Sequence, residues 1–162
     1  MQGALADATP GADVVVMAAA VSDFRPAARA AGKLSRRENA PAALPLVANP
    51  DLLAELGRAR GGVRPLLVGF AAEVVGGADL IDRARAKLAE KRCDVIAAND
   101  VAAPGLGFGS DRNALTLVFA DGRVVPLPAA GKAALADALW GELAALLGAS
   151  EVTPLPRAVR GP

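Results

Sequence analysis

Histidine and tyrosine are absent from this 162-residue sequence, and cysteine occurs once, as Cys93. Without histidine, a Ser-His-Asp or Cys-His nucleophile and the usual zinc sites are excluded within the chain. Without tyrosine, the Tyr/Lys acid–base pair of short-chain dehydrogenases is excluded as well. A single cysteine rules out an intramolecular disulfide framework and any all-cysteine metal site. Aromatic residues make up only 3% of the chain against 53% apolar residues, so the core must be built from Ala, Leu and Val. Lys plus Arg is 18 and Asp plus Glu is 17, a balance that gives no global field for nucleic acid or an anionic membrane. No run reaches the roughly 18 apolar residues of a membrane span, and the start lacks the regions of a secretory signal. The expectation is one soluble cytoplasmic domain with a real core. Its chemistry must come from carboxylates, lysines, arginines, amides and backbone, a set suited to positioning phosphates and stabilising charge.

The pattern of what is present is α/β. Residues 2 to 9 read as the end of a helix closed by Pro10 and Gly11. "DVVVMAAA" (13 to 20) reads as a buried strand that tapers to alanine before delivering Asp23. Residues 25 to 42 read as a long mobile loop carrying "GKLSRRE", and "LPLVA" (44 to 48) as a short strand. Asn49-Pro50-Asp51 reads as a helix start, with Asn49 the N-cap and Pro50 at the first helical position. Leu52, Leu53 and Leu56 give that helix one apolar stripe, ended by Gly61-Gly62. "PLLVGFAAE" (65 to 73) and "CDVIAAND" (93 to 100) are strands of the same tapering design, separated by a helix from Asp79 to Arg92 with Leu80, Ile81, Ala84 and Leu88 inward. Such alternation predicts a mostly parallel sheet with helices on both faces. The alternation around Asp121-Gly122 (113 to 127) predicts an antiparallel hairpin, opened by Ser110, Asp111 and Asn113. Residues 129 to 147 read as a last amphipathic helix and 148 to 162 as a disordered tail; Cys93 reads as core. Ligands of open parallel sheets bind outside the carboxyl ends of strands, where these alanines would let a ligand approach the backbone.

In order along the chain, "AAAVSDFRP", "GKLSRRE", "NPDLL", "VGFAAE", "DVIAANDV" and "GFGSDRNALTLV" resemble the signatures of phosphopantothenoylcysteine synthetase from about residue 13 to 147. The resemblance implies a Rossmann-like α/β fold with an added antiparallel element used for dimerisation. It implies a ligase of coenzyme A biosynthesis that joins 4'-phosphopantothenate to cysteine. In bacteria this ligase uses CTP with Mg²⁺ and proceeds through an acyl-cytidylate. Two departures stand out. The family's Gly-rich first turn and its Asn-containing segment match nothing here, which predicts an N-terminally truncated synthetase domain over 1–147 that needs an upstream half for the full reaction. The family's basic motif reads Lys33-Leu34-Ser35-Arg36 in this chain. A flavin-dependent decarboxylase fused or bound upstream is a further implied partner, as is a second copy of the chain.

By that resemblance, Lys33 is the catalytic residue, its ammonium closing over the triphosphate; otherwise it is a solvated loop lysine. Only Lys33, Lys87, Lys91 and Lys132 are lysines among the 18 basic residues, and three of them fall where the family has functional lysines. Arg83, Lys87 and Lys91 share one helix face, and like charges at that spacing repel by a few tenths of a kcal/mol per pair, ~0.2–0.5. Asp79 can offset Arg83, but no acid lies four residues from Lys87, so a bound triphosphate would relieve the repulsion. The resemblance assigns backbone contacts to CTP from Met17, Ala18 and Ala19, and a phosphopantothenate contact to Ala20. It assigns Asp23 to the nucleotide, although a carboxylate after a strand also suits a turn cap. Phe70 suits packing on a pyrimidine or simple core packing. Pro50, Asp51, Leu52 and Leu53 suit a base or ribose contact at the helix start. Metal ligands are not identifiable. Two other readings stay open, an NAD(P)-dependent oxidoreductase and a non-catalytic fragment that binds nucleotide or dimerises.

Overall fold

The computed structural model describes residues 1–33, 43–106 and 109–148. Leu34 to Arg36 and the expected tail beyond Gly148 lie outside the described residues. A short helix α1 (Gln2–Ala8) leads into strand β1 (Val14–Met17). Strands β2 (Phe24–Pro26) and β3 (Leu46–Ala48) follow, then helix α2 (Leu52–Ala59), strand β4 (Leu66–Glu73), helix α3 (Gly77–Lys91) and strand β5 (Val95–Asp100). Strands β6 (Arg112–Phe119) and β7 (Val124–Gly131) and helix α4 (Lys132–Leu147) complete the chain. The main sheet has the order β1-β4-β5-β6-β7, with β1, β4 and β5 parallel and β6 and β7 antiparallel.

Alternation along the central strands feeds two separate cores. Val68, Val95, Ala97, Leu115, Leu117 and Phe119 face α4, which inserts Leu135, Leu139 and Leu143 one turn apart. Leu67, Ala71, Ile96, Ala98 and Val118 face the other way, onto Leu80 and Ala84 of α3, with Leu53 and Leu56 of α2 alongside. Each fully buried Leu or Val contributes about 1.5–3 kcal/mol over the exposed state. Helices therefore cover both faces of a Rossmann-like, mostly parallel sheet, as the alternating pattern predicts.

Four local expectations change. The strand expected over 13 to 20 ends at Met17, because its register on β4 stops at Met17–Gly69 and Ala18 to Ala20 offer little apolar area to hold them to the sheet. Arg25 and Pro26, read as loop, instead belong with Phe24 to a strand paired antiparallel with β3, helped by Arg25 Nη1, which donates to the Ala48 carbonyl at 3.0 Å. Asn49 is not the cap of α2. Asp51 is, its Oδ1 accepting from the Ala54 amide at 3.0 Å. Finally, β7 runs through Gly131, so α4 starts at Lys132 and not at 129. The Asp121-Gly122 hairpin forms as predicted but as the far edge of the main sheet, with Gly122 at φ +93°.

Close approach of α2 to α3 depends on one residue. A Cβ on Gly57 would collide with the Lys91 carbonyl oxygen, a backbone atom that cannot step aside. Where the helices leave the sheet at its other end, Arg60 is paired with Asp94, which also accepts from the Leu67 amide at 2.7 Å. That pair fixes the starts of β4 and β5 together.

Candidate functional site

Beyond Gly69, β4 runs on to Glu73 while β1 has ended, and an open cleft of about 510 Å³ forms at this step in the sheet. Met17, Ala19, Ala20 and Asp23 line one wall as the chain leaves β1. Pro50, Asp51, Leu52 and Leu53 line a second, at the start of α2. Lys87 and Lys91 line the third, on α3, and Phe70 and Ile96 come from the sheet. Sequence reasoning thus named all of its site residues in this cleft except two: Ala18 and Lys33 are exposed but do not line it. Phe70 is 39% exposed, so it is a cleft residue and not a core one.

Space in the floor comes from Gly69. A Cβ there would lie 2.5 Å from Leu53 Cδ2 and 2.9 Å from Ile96 Cδ1, both cleft-lining side chains. The first two walls are tied by Asn49. Its Nδ2 donates to the Ser22 carbonyl at 2.6 Å, its Oδ1 accepts from Arg25 at 2.9 Å, and its backbone N–H donates to the Asp23 carbonyl at 2.7 Å. Reading Asn49 as a cap missed this role, because its partners stand more than twenty residues away in the chain.

The cations of α3 are not left to repel one another. Lys87 Nζ lies 2.7 Å from Glu73 Oε1 and Arg83 Nη1 lies 3.2 Å from Glu73 Oε2. Lys91 Nζ donates to Asp51 and, at 2.6 Å, to Glu90. The expectation of unrelieved repulsion, and of Asp79 as the partner of Arg83, is therefore corrected. Beside Glu90 on α3 itself, the balancing acids come from β4 and from the α2 cap, beyond the reach of a helical spacing rule. "VGFAAE" does end in Glu73, and that carboxylate was the available signal.

The electrostatics follow from these contacts. The bonded Lys87 ammonium, resisted by burial and helped by Arg83, holds the Glu73 carboxyl below its ordinary range. Burial pushes Asp51 up, but the bonds from Lys91 and Ala54 and the charges of Lys91 and Arg58 outweigh it and leave Asp51 lowered. Burial likewise pulls Lys91 down, and its bonds to Asp51 and Glu90 reverse that and raise it. Lys91, so raised, is charged at neutral pH. The arrangement is a cationic wall in a cleft that also holds an aromatic ring and two exposed carboxylates, Asp23 and Asp51. Among the described residues no group of three or more Cys, Asp or Glu is placed to hold a metal ion by itself. Ser110, Asp111 and Asn113 stand outside the cleft; Ser110 Oγ accepts from the Arg112 amide at 3.1 Å and so shapes the entry to β6. Cys93 is buried, with a thiol pushed up to about 11 by burial and the neighbouring Asp94. No helix among the described residues is long and apolar enough to cross a membrane.

Comparison with known proteins agrees with this fold. Residues 1–147 match the family model for the DNA/pantothenate metabolism flavoprotein C-terminal domain. The coenzyme A biosynthesis bifunctional protein CoaBC of Bacillus subtilis is 38% identical over 146 residues, covering 90% of this chain and 34% of that protein. Its counterpart in Mycolicibacterium smegmatis is 40% identical over 152 residues, covering 91% and 36%. The chain thus spans about a third of the length of these curated relatives. A crystal structure of the C-terminal domain of a CoaBC protein superposes with a TM-score of 0.68 at 28% identity, over 90% of this chain and 60% of that one. The DNA/pantothenate metabolism flavoprotein of Streptococcus pneumoniae, at TM-score 0.62 and 21% identity, shares the fold over 89% of this chain and 65% of its own. The chain belongs to the DNA/pantothenate metabolism flavoprotein C-terminal domain family, the domain carried by the bifunctional CoaBC proteins of coenzyme A biosynthesis.

Proposed function

We propose that this chain is the nucleotide-binding part of a phosphopantothenate–cysteine ligase that uses CTP. The observation that carries the proposal is the convergence in one cleft of Asp23, Asp51, Phe70, Lys87 and Lys91, which come from separate elements. The two ammonium groups would hold the triphosphate on the α3 wall, and Phe70 would pack against the pyrimidine. Backbone at Met17, Ala18 and Ala19 would contact the nucleotide, and Ala20 the pantoyl group. Lys33, which does not line the cleft, would approach the triphosphate from the segment after β2.

In this reading the carboxylate of 4'-phosphopantothenate attacks the α-phosphorus of CTP and pyrophosphate departs. The amine of cysteine then attacks the acyl carbon of the cytidylate, forming the amide, losing a proton and releasing CMP. The chain contributes positioning and charge stabilisation, which suits a site without histidine or tyrosine. Mg²⁺ would supply charge neutralisation on the phosphates. The donor set fits an ion carried largely by phosphate and water, with Asp23 and Asp51 the carboxylates in reach of the cleft. A second copy of the chain and a decarboxylase or upstream synthetase segment are proposed partners.

The test is release of CMP and pyrophosphate that depends on both 4'-phosphopantothenate and cysteine, measured for the chain alone and with an upstream CoaBC-type segment supplied in trans. CTP binding without turnover in either case would support the non-catalytic reading. Binding of NADP⁺ in place of CTP would support the oxidoreductase.

A further inference from the structure

We propose that Asp51 is an internal stand-in for phosphate, seated on Lys91 in the cleft and displaced when the polyphosphate of the ligand binds. The inference rests on the nucleotide reading of the cleft and adds to it a built-in competitor. Asp51 differs from every other acid at these cations. It lines the cleft and is 42% exposed, whereas Glu73 is 10% exposed and lies outside the lining. Glu73 can therefore hold Lys87 from behind with the ligand present, while Asp51 occupies the space an incoming anion needs. Lys91 is the more enclosed of the two lysines, 20% exposed against 39% for Lys87. Glu90 meets this ammonium from outside the cleft, and on the cleft side Asp51 bonds it until phosphate replaces the carboxylate.

Release need not unwind the helix. Lys91 is bonded to Asp51 through Oδ2, while the Ala54 amide donates to Oδ1, so the cap bond and the ammonium bond use different oxygens. Asn or Ser at position 51 retains capping ability and removes the charge. Glu90 gives the matching control. It also pairs with Lys91, at 2.6 Å, but is 66% exposed and does not line the cleft.

The experiment is calorimetric titration of inorganic tripolyphosphate, and separately of CTP with Mg²⁺, into the 162-residue chain and its Asp51→Asn, Asp51→Ser and Glu90→Gln variants. Thermal unfolding of each verifies the fold. Tripolyphosphate is expected to bind Asp51→Asn and Asp51→Ser about fivefold more tightly than the parent, and Glu90→Gln within about twofold of it. Unchanged or weaker binding to both Asp51 variants overturns the proposal, as does equal tightening by Glu90→Gln, which would reduce the effect to net charge. CTP binding by the parent with no tripolyphosphate binding by any variant overturns it while leaving the nucleotide reading intact. Tripolyphosphate tightening with no CTP binding supports the displacement and removes the nucleotide reading.

Discussion

The ammonium of Lys87 rests 2.7 Å from Oε1 of Glu73, the residue that ends β4. One strand-end carboxylate thereby sets the position of a cleft lysine carried by a helix. Glu73 is largely buried while its two cations are half-exposed, so the pair is worth about 1 kcal/mol and not the several of a fully buried one. Glu73→Gln is expected to lower the melting temperature by roughly 3 °C at pH 7. Because the folded carboxyl is held below its unfolded value of about 4.3, the contribution is whole above that pH and is lost as pH falls through the lowered folded value. Urea unfolding of parent and variant should therefore differ at pH 7 and converge as pH falls below the lowered folded value; a gap that stays constant would assign the loss to packing.

Asn49→Ala removes both side-chain bonds that join the exit of β1 to the start of α2. The stability loss is expected to be about 1 kcal/mol, since the site is partly exposed. Its effect on ligands should be selective. CTP binding should weaken because the Ala19–Asp23 wall loses its tie, while inorganic tripolyphosphate, held by α3, should bind as before. Equal weakening of both would mean the whole cleft had shifted.

Gly57→Ala opposes two effects of known size. Helix propensity favours alanine by about 1 kcal/mol, but the new methyl meets the Lys91 backbone carbonyl. Overpacking against backbone costs about 1–3 kcal/mol, so the variant should be less stable, and chemical denaturation will show the sign. A stabilised variant would mean that α2 and α3 are free to separate.

Cys93 should resist a thiol reagent such as DTNB at pH 8 and react fully in urea. It is buried, and its thiol is raised to about 11, so little thiolate exists at that pH. Rapid native labelling would show that the junction of α3 and β5 opens readily.

Much of this was legible in the residues. The core of the sheet was readable because Leu67, Val68, Val95 and Ile96 stand in short apolar runs bounded by turn residues, and Leu80, Ala84 and Leu88 recur at helical spacing. One wall of the cleft was readable because small residues followed by Asp23 leave β1; the matching ends of β4 and β5, Ala71 to Glu73 and Ala98 to Asp100, do not line it. Contacts between distant segments were not readable. Asn49 carries every local mark of a helix cap, and only the return of Ser22 and Arg25 to its side reveals another use. Lys87 has no acid four residues away on its own helix, and its partner comes from a strand, through topology that spacing does not encode. Of the β2–β3 ribbon, β3 was readable in "LPLVA", while β2 escaped notice because its three residues are all exposed and leave no buried alternation to read.

The central claim is that Lys87 and Lys91 form the triphosphate wall of a CTP site, and calorimetric titration of the chain with CTP and Mg²⁺ tests it most directly. ATP, UTP and NADP⁺ serve as competitors, and the Lys87→Ala/Lys91→Ala double variant as the control. The account predicts binding selective for CTP that the double variant loses by at least about tenfold, since each charge-assisted bond contributes about 1.5 kcal/mol or more. CTP binding of equal strength in the double variant, or preference for NADP⁺, would contradict it.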